Sequence, residues 1–214
     1  MAAHEGGVMS SAARRKDLRG VATRAALIEQ AETLFGERGV DGVSLREIGA
    51  AIGAANSNVV LYHFGSKAAL IEETIRHRLP HIDRRRAAML AEHEAGGRPM
   101  DLARCLDILF RPLFEQVNAE GHHSYIAFLH SLHRSNNMGF LSGVSRDYPA
   151  TMLVVTTLCQ LSGLPEPRFA RRLQVIVGMI AWALRLIDQR PDDAAASQDA
   201  FADALVMARA ALIA

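Results

Sequence analysis

Cysteine is scarce in this sequence: Cys105 and Cys159 are the two among 214 residues. They form no CxxC pair, which excludes a disulfide scaffold or a zinc ribbon and suits a reducing, cytoplasmic setting. Charge of one sign is missing too. Lys and Arg number 24 against 23 Asp and Glu, a net charge of +1. Bulk charge therefore selects no partner class, because a nucleic-acid binder needs only a local basic face. Long apolar runs are absent. The most apolar stretch, Val175 to Leu184, is shorter than the ~20 residues that cross a bilayer, and the first residues lack the apolar run of a signal peptide. The expectation is a soluble, cytoplasmic protein with no membrane partner. There is no GxSxG, P-loop, Rossmann glycine pattern or HExxH, so neither an enzyme nor a cofactor is expected.

Half of the residues are apolar, enough for a substantial core. Ala and Leu dominate, Thr and Tyr are few, and no stretch alternates with period two, so strands are hard to find and the fold is expected to be all-α. Residues 1–20 are small, polar and basic, with Arg14, Arg15, Lys16 and Arg19 clustered. They read as a disordered arm, either a solvated tail or an arm touching DNA. A first helix is predicted over 23–38, with Leu27, Ala31, Leu34 and Phe35 as its stripe and Gly39 as its stop. A long helix from Lys67 toward Glu94 contains Pro80, where a kink or break is expected. Further helices are predicted at 101–118, 123–135, 149–162, 166–189 and 198–213.

Between Ser44 and Phe64 the pattern is helix, tight turn and helix. Ser44-Leu45-Arg46-Glu47 has the S-x-x-E form of a capping box. The first helix ends near Ile52-Gly53, and the second covers roughly 57–62. About 20 residues is the size of a helix-turn-helix, whose second helix enters the major groove of DNA. Asn56, Ser57 and Asn58 stand where such a helix meets base edges: Asn can bond adenine twice, and Ser either partner of a pair. The same three residues also suit an ordinary polar turn and cap. Tyr62, His63 and Lys67 follow, all phosphate-contacting types, and the start of the next helix can add backbone N–H groups.

Residues 23–75 resemble the N-terminal domain of the TetR-type bacterial transcriptional regulators. The resemblance is carried by Ala31 to Phe35 with Gly39, Ser44-Leu45-Arg46-Glu47-Ile48, Gly53, and Tyr62-His63-Phe64-Gly65-Ser66-Lys67 with Leu70. It implies an all-helical homodimer with a helix-turn-helix DNA-binding domain over 21–66 and a larger ligand-binding and dimerisation domain over 67–214. It further implies a repressor released from a palindromic operator in double-stranded DNA by a small-molecule effector. Carried over by position, Ser44, Tyr62, His63 and Lys67 contact phosphate, Asn56, Ser57, Asn58 and Leu61 lie nearest the bases, and Thr23 or Arg24 reaches the backbone. The sequence departs from the commoner family pattern in having no Gly in the second helix and Leu61 where an aromatic residue is usual.

Beyond residue 90 the resemblance fades and helical spacing is the guide. Phe169, Leu173, Ile176, Ile180 and Leu184, with Phe201, Leu205 and Leu212, lie on two long helices apolar on more than one side. Such helices are buried by more than their own domain, so these residues are candidates for a four-helix dimer interface. A plain intramolecular core is the other reading. Candidates for a mainly apolar ligand pocket are Phe110, Phe114, Tyr125, Phe128, Leu129 and His133, then Met152, Thr156, Cys159, Met179 and Trp182. Two histidine pairs, His77 with His81 and His130 with His133, share helix faces but lack carboxylate or thiol partners at ligand spacing, so no metal is expected. The triplet Arg84-Arg85-Arg86 reads as a solvated face.

Overall fold

A computed structural model describes residues 11–135, 147–190 and 194–213, with the side chains of the first helix described from residue 17 onward. All regular structure among them is helical. The helices are α1 (Ser11–Arg38), α2 (Leu45–Ala51), α3 (Val59–Phe64), α4 (Lys67–Ala95), α5 (Leu102–Phe114), α6 (Ser124–Arg134), α7 (Pro149–Ser162), α8 (Glu166–Asp188) and α9 (Ala194–Ile213). No helix among the described residues is long and apolar enough to cross a membrane.

The first helix starts at Ser11, twelve residues ahead of the expected Thr23. Residues 11–20 are thus helical and not part of an unstructured arm. Ala, Arg, Lys and Leu are strong helix formers, and Gly20 is tolerated at a cost of about 1 kcal/mol. Residues 1–10 of the expected arm lie outside the described residues. The long fourth helix runs without a break through Pro80, so of the kink or break expected there the break does not occur. A proline takes one hydrogen bond from a helix, and here a stripe of buried residues on both sides, Ile75, Leu79, Ile82 and Met89, holds the helix together.

The helices form two connected parts. The small part is α1 to α3 with the start of α4, centred on Leu27, Ala31, Phe35, Ile48, Val60 and Leu70, each at most 1% exposed. The body is the rest of α4 with α5 to α9, where Leu106, Ile108, Phe110, Phe128, Ile176, Ile180, Leu184 and Phe201 are buried. Helix α1 spans the junction, and its most extensive contact is with α6. That contact is close at Gly36, where an added Cβ would lie 3.1 Å from both the Ala127 Cβ and the Ser124 carbonyl oxygen.

Polar side chains tie the two parts together. Glu32 of α1, 1% exposed, accepts from Arg78 of α4 through Nε at 2.9 Å and Nη2 at 3.4 Å, and from the Ser124 hydroxyl at the start of α6. Within the body, Arg86 donates Nε and Nη2 to the Leu109 carbonyl and Nη1 to Thr151. Thr151 in turn donates both its N–H and its hydroxyl to Asp83. Asp83 thereby supplies the acceptor that Tyr148, at the cap position of α7, does not. Burial lowers the Arg86 pKa to about 10, still high enough to leave it charged at neutral pH. The arginine triplet is therefore not one solvated face. Arg84 is exposed, Arg85 pairs with Glu115 and Glu92, and Arg86 falls in register with Leu79, Ile82 and Met89.

Candidate nucleic-acid interface

The helix-turn-helix begins with the capping box that Ser44 and Glu47 encode. The Glu47 N–H donates to the Ser44 hydroxyl at 3.3 Å, and the Ser44 N–H donates to the Glu47 carboxylate at 2.8 Å. Arg38 adds an ion pair to the same carboxylate. The Ser44 hydrogen bonds, with Arg38, bring the Glu47 pKa down to about 2. The Ser44 oxygen accepts in this cap, so its own hydrogen is left to donate outward, the direction a phosphate contact needs.

The turn between α2 and α3 needs a left-handed residue, and Gly53 supplies it with φ 69°. The helices then approach closely at Gly49, where an added Cβ would lie 3.0 Å from a Val59 methyl. Val60 is buried, and Val59 packs on the same core. With these two inward, Leu61 and Tyr62 must point out, and they are 46% and 81% exposed. The Tyr62 ring rests edge-on against His63 with centroids 5.0 Å apart, while His63 is half-buried.

Asn56, Ser57 and Asn58 are exposed but precede the second helix, which starts at Val59 and not at the expected 57. Their roles separate. The Asn56 side-chain oxygen accepts the Asn58 N–H at 2.9 Å, so it builds the turn and has one lone pair committed there. Asn58 caps α3 without a side-chain cap bond, which leaves both ends of its amide for a base edge. No bond of the Ser57 side chain competes with such a contact.

Two residues expected at the backbone are turned elsewhere. The Lys67 ammonium donates to the Val43 carbonyl at 2.6 Å and lies 5.8 Å from the Phe35 ring centroid. It fastens the start of α4 to the loop before α2 and is not displayed beside Tyr62. Arg24 pairs with Glu73 of α4 and covers the Phe64 ring at 4.9 Å. Sequence reasoning missed Arg46, exposed on α2 two residues past Ser44 and in no ion pair among the described residues. Its signal was its place inside the capping box: the two box positions face the helix end, and the residues between them include one facing solvent. Ser66 caps the Ala69 N–H at 3.1 Å, and the other first-turn N–H groups point out of the helix end.

The body rearranges the other candidates. Phe110, Tyr125, Phe128 and Leu129 are buried in the core, and the Tyr125 hydroxyl donates to the Ile75 carbonyl at 3.0 Å. Phe114 stacks on Phe201 at 4.5 Å. Met152, Thr156 and Trp182 are exposed, whereas His133, Cys159 and Met179 are partly buried. The eleven pocket candidates thus do not converge on one hollow. The dimer candidates are corrected as well. Phe169, Ile176, Ile180, Leu184, Phe201 and Leu212 are at most 4% exposed and Leu173 and Leu205 pack against them, so this set faces the chain's own core. The large apolar residues that α8 and α9 expose are Val175, Trp182, Leu186, Val206, Met207 and Ile213. Helical spacing finds a buried stripe but does not name what buries it. Cys105 is an inert core thiol, bonded to the Val154 carbonyl and pushed by burial up to about 12. No group of three metal-ligating side chains gathers among the described residues.

Residues 27–74 match the family described as bacterial regulatory proteins, tetR family. No curated protein matches the chain. The matched segment runs from the inner turns of α1 through both helices of the motif into α4, the part that holds Ser44, Asn58, Tyr62 and Lys67. Over these residues the chain carries the DNA-binding domain of the tetR family of bacterial regulatory proteins, a family of DNA-binding transcriptional regulators.

Proposed function

We propose that this regulator is a homodimeric repressor that occupies a palindromic operator and leaves it when a small, largely apolar ligand binds the body. The observation that carries the DNA reading is the exposed, uncommitted set on one edge of the motif: Ser57, Asn58, Leu61 and Tyr62, flanked by the Ser44 hydroxyl and Arg46. Asn58 and Ser57 read bases, while Ser44, Arg46, Tyr62, His63 and the start of α4 hold phosphate. Lys67 supports this edge from within. The dimer is formed by the exposed apolar side of α8 and α9, with Val175, Leu186, Val206 and Met207 at its centre, and not by the buried stripe. Leu186→Glu keeps the fold and yields monomers in sedimentation.

The test is selection of bound DNA from a random pool, followed by titration of the selected site. A palindrome with half-sites about one helical turn apart is expected of a twofold dimer. Arg46→Ala weakens binding to every sequence and lowers the salt slope by about one. Asn58→Ala instead relaxes preference at one base position, with a loss of about 1–3 kcal/mol on the selected site. Unchanged affinity and salt slope in Arg46→Ala, Tyr62→Ala and Asn58→Ala together sink the docking geometry. The close packing of Phe110, Tyr125 and Phe128 favours a second reading, a regulator that senses a protein partner or acts without a ligand. Operator affinity indifferent to every small molecule offered would favour it.

A further inference from the structure

Larger hollows of about 330 and 420 Å³ lie along α8 and α9, but the hollows that touch both parts of the molecule lie at their junction. Two adjoining hollows of about 200 and 140 Å³ share Gly36, Glu37, Ala127, Ala181 and Arg185 in their walls. They form a cleft between α1, α6 and α8. The cleft exists because its floor is small: at Gly36 the α1 backbone meets α6 with no side chain between them, and at Gly178 an added Cβ would lie 3.2 Å from the His130 ring. Its walls carry two arginines, Arg134 and Arg185, and two acids, Glu37 and Asp188. Arg185 and Arg134 have no ion-pair partner among the described residues, and neither does Glu37. The remaining acid, Asp188, is taken by His123, accepting from its backbone N–H and from its ring. The indole of Trp182, 61% exposed in the single chain and on the same side of α8 as Val175 and Leu186 of the proposed dimer surface, closes one end.

The geometry points to this cleft as a binding site for a small aromatic carboxylate, its carboxylate on Arg185 and its ring against Trp182. A guanidinium with no partner forms a forked pair with a carboxylate, and indole stacks on a flat ring. The site joins α1, which belongs to the DNA-binding part, to α6 and α8 of the body. An occupant therefore touches both and can change how they meet. That regulatory consequence rests on the ligand-release reading above; the binding itself does not.

Trp182 is the single tryptophan of the chain, so its fluorescence reports on the cleft directly. The full chain is titrated with benzoate, and with benzamide as the uncharged analogue of the same shape. Benzoate is expected to change the emission saturably, at concentrations at least tenfold below those of benzamide. Arg185→Gln, at an exposed position that leaves the fold intact by circular dichroism, raises the half-saturating concentration about tenfold, the scale of one charge-assisted contact. Glu37→Gln lowers it. No saturable response to benzoate, equal response to benzamide, or an unchanged half-saturation in Arg185→Gln each overturns the site. Operator affinity measured in parallel separates the two readings. Saturation without loss of DNA keeps the site and removes ligand release, whereas release by a molecule that leaves Trp182 unchanged does the reverse.

Discussion

The Glu32–Arg78–Ser124 junction makes a prediction with a definite asymmetry. Glu32 is 1% exposed, while the Arg78 side chain is 20% exposed. Arg78→Met removes the cation and leaves the carboxylate where water cannot reach it. Breaking a buried pair from this side costs about 3–5 kcal/mol. Glu32→Ala removes the carboxylate and leaves a guanidinium that can turn to solvent, together with the Ser124 hydroxyl. The losses are then ordinary hydrogen bonds and some packing, about 1–2 kcal/mol. Arg78→Met should therefore be the more destabilising by about 2 kcal/mol, and the double variant should be more stable than Arg78→Met alone. Urea unfolding at 25 °C measures this, at one fixed chain concentration because a dimer's stability depends on it. If Glu32→Ala costs as much as Arg78→Met, or if the two losses simply add, Glu32 is not the trapped charge that its burial implies.

Three further outcomes follow from the same contacts. Glu47 has its pKa lowered to about 2 in the fold, so its stabilisation is complete above the ordinary carboxylate value near 4.5 and disappears as pH falls toward 2. Glu47→Gln should thus melt lower than the parent at pH 7, and the gap should close in acid. Lys67→Met strands the Val43 carbonyl and should cost about 1 kcal/mol in chemical unfolding; an unchanged midpoint would mean the ammonium faces outward in solution. Gly36→Ala gains about 1 kcal/mol of helix propensity but drives a methyl to 3.1 Å from a backbone oxygen of α6, which cannot rotate away. A net loss of stability is expected, and a gain would show that α1 and α6 part easily.

The sequence by itself determined what depends on near neighbours. Ser44 and Glu47 are three residues apart and satisfy each other across one turn, so the start of α2 was legible, as were Gly53, the Ser66 cap and the ends of α7 and α8. The same holds for Tyr62, exposed because Val59 and Val60 beside it are apolar and take the inner face. The family resemblance drew on these local features and covered the same domain that the comparison matched. Only the tertiary structure decided matters that depend on what a helix meets. Spacing marked Ile176, Ile180 and Leu184 as buried, but a stripe against the chain's own core and a stripe against a second chain have the same period. Arg86 read as part of a solvated face until a distant partner, the Leu109 carbonyl, satisfied it in the interior, and Glu32 is held there by Arg78. Lys67 was placed toward DNA, yet the Val43 carbonyl, 24 residues earlier, turns it inward. Periodicity tells which side of a helix is apolar; burial of a charge or choice of a partner is fixed by groups far away in sequence, and folding alone brings them together.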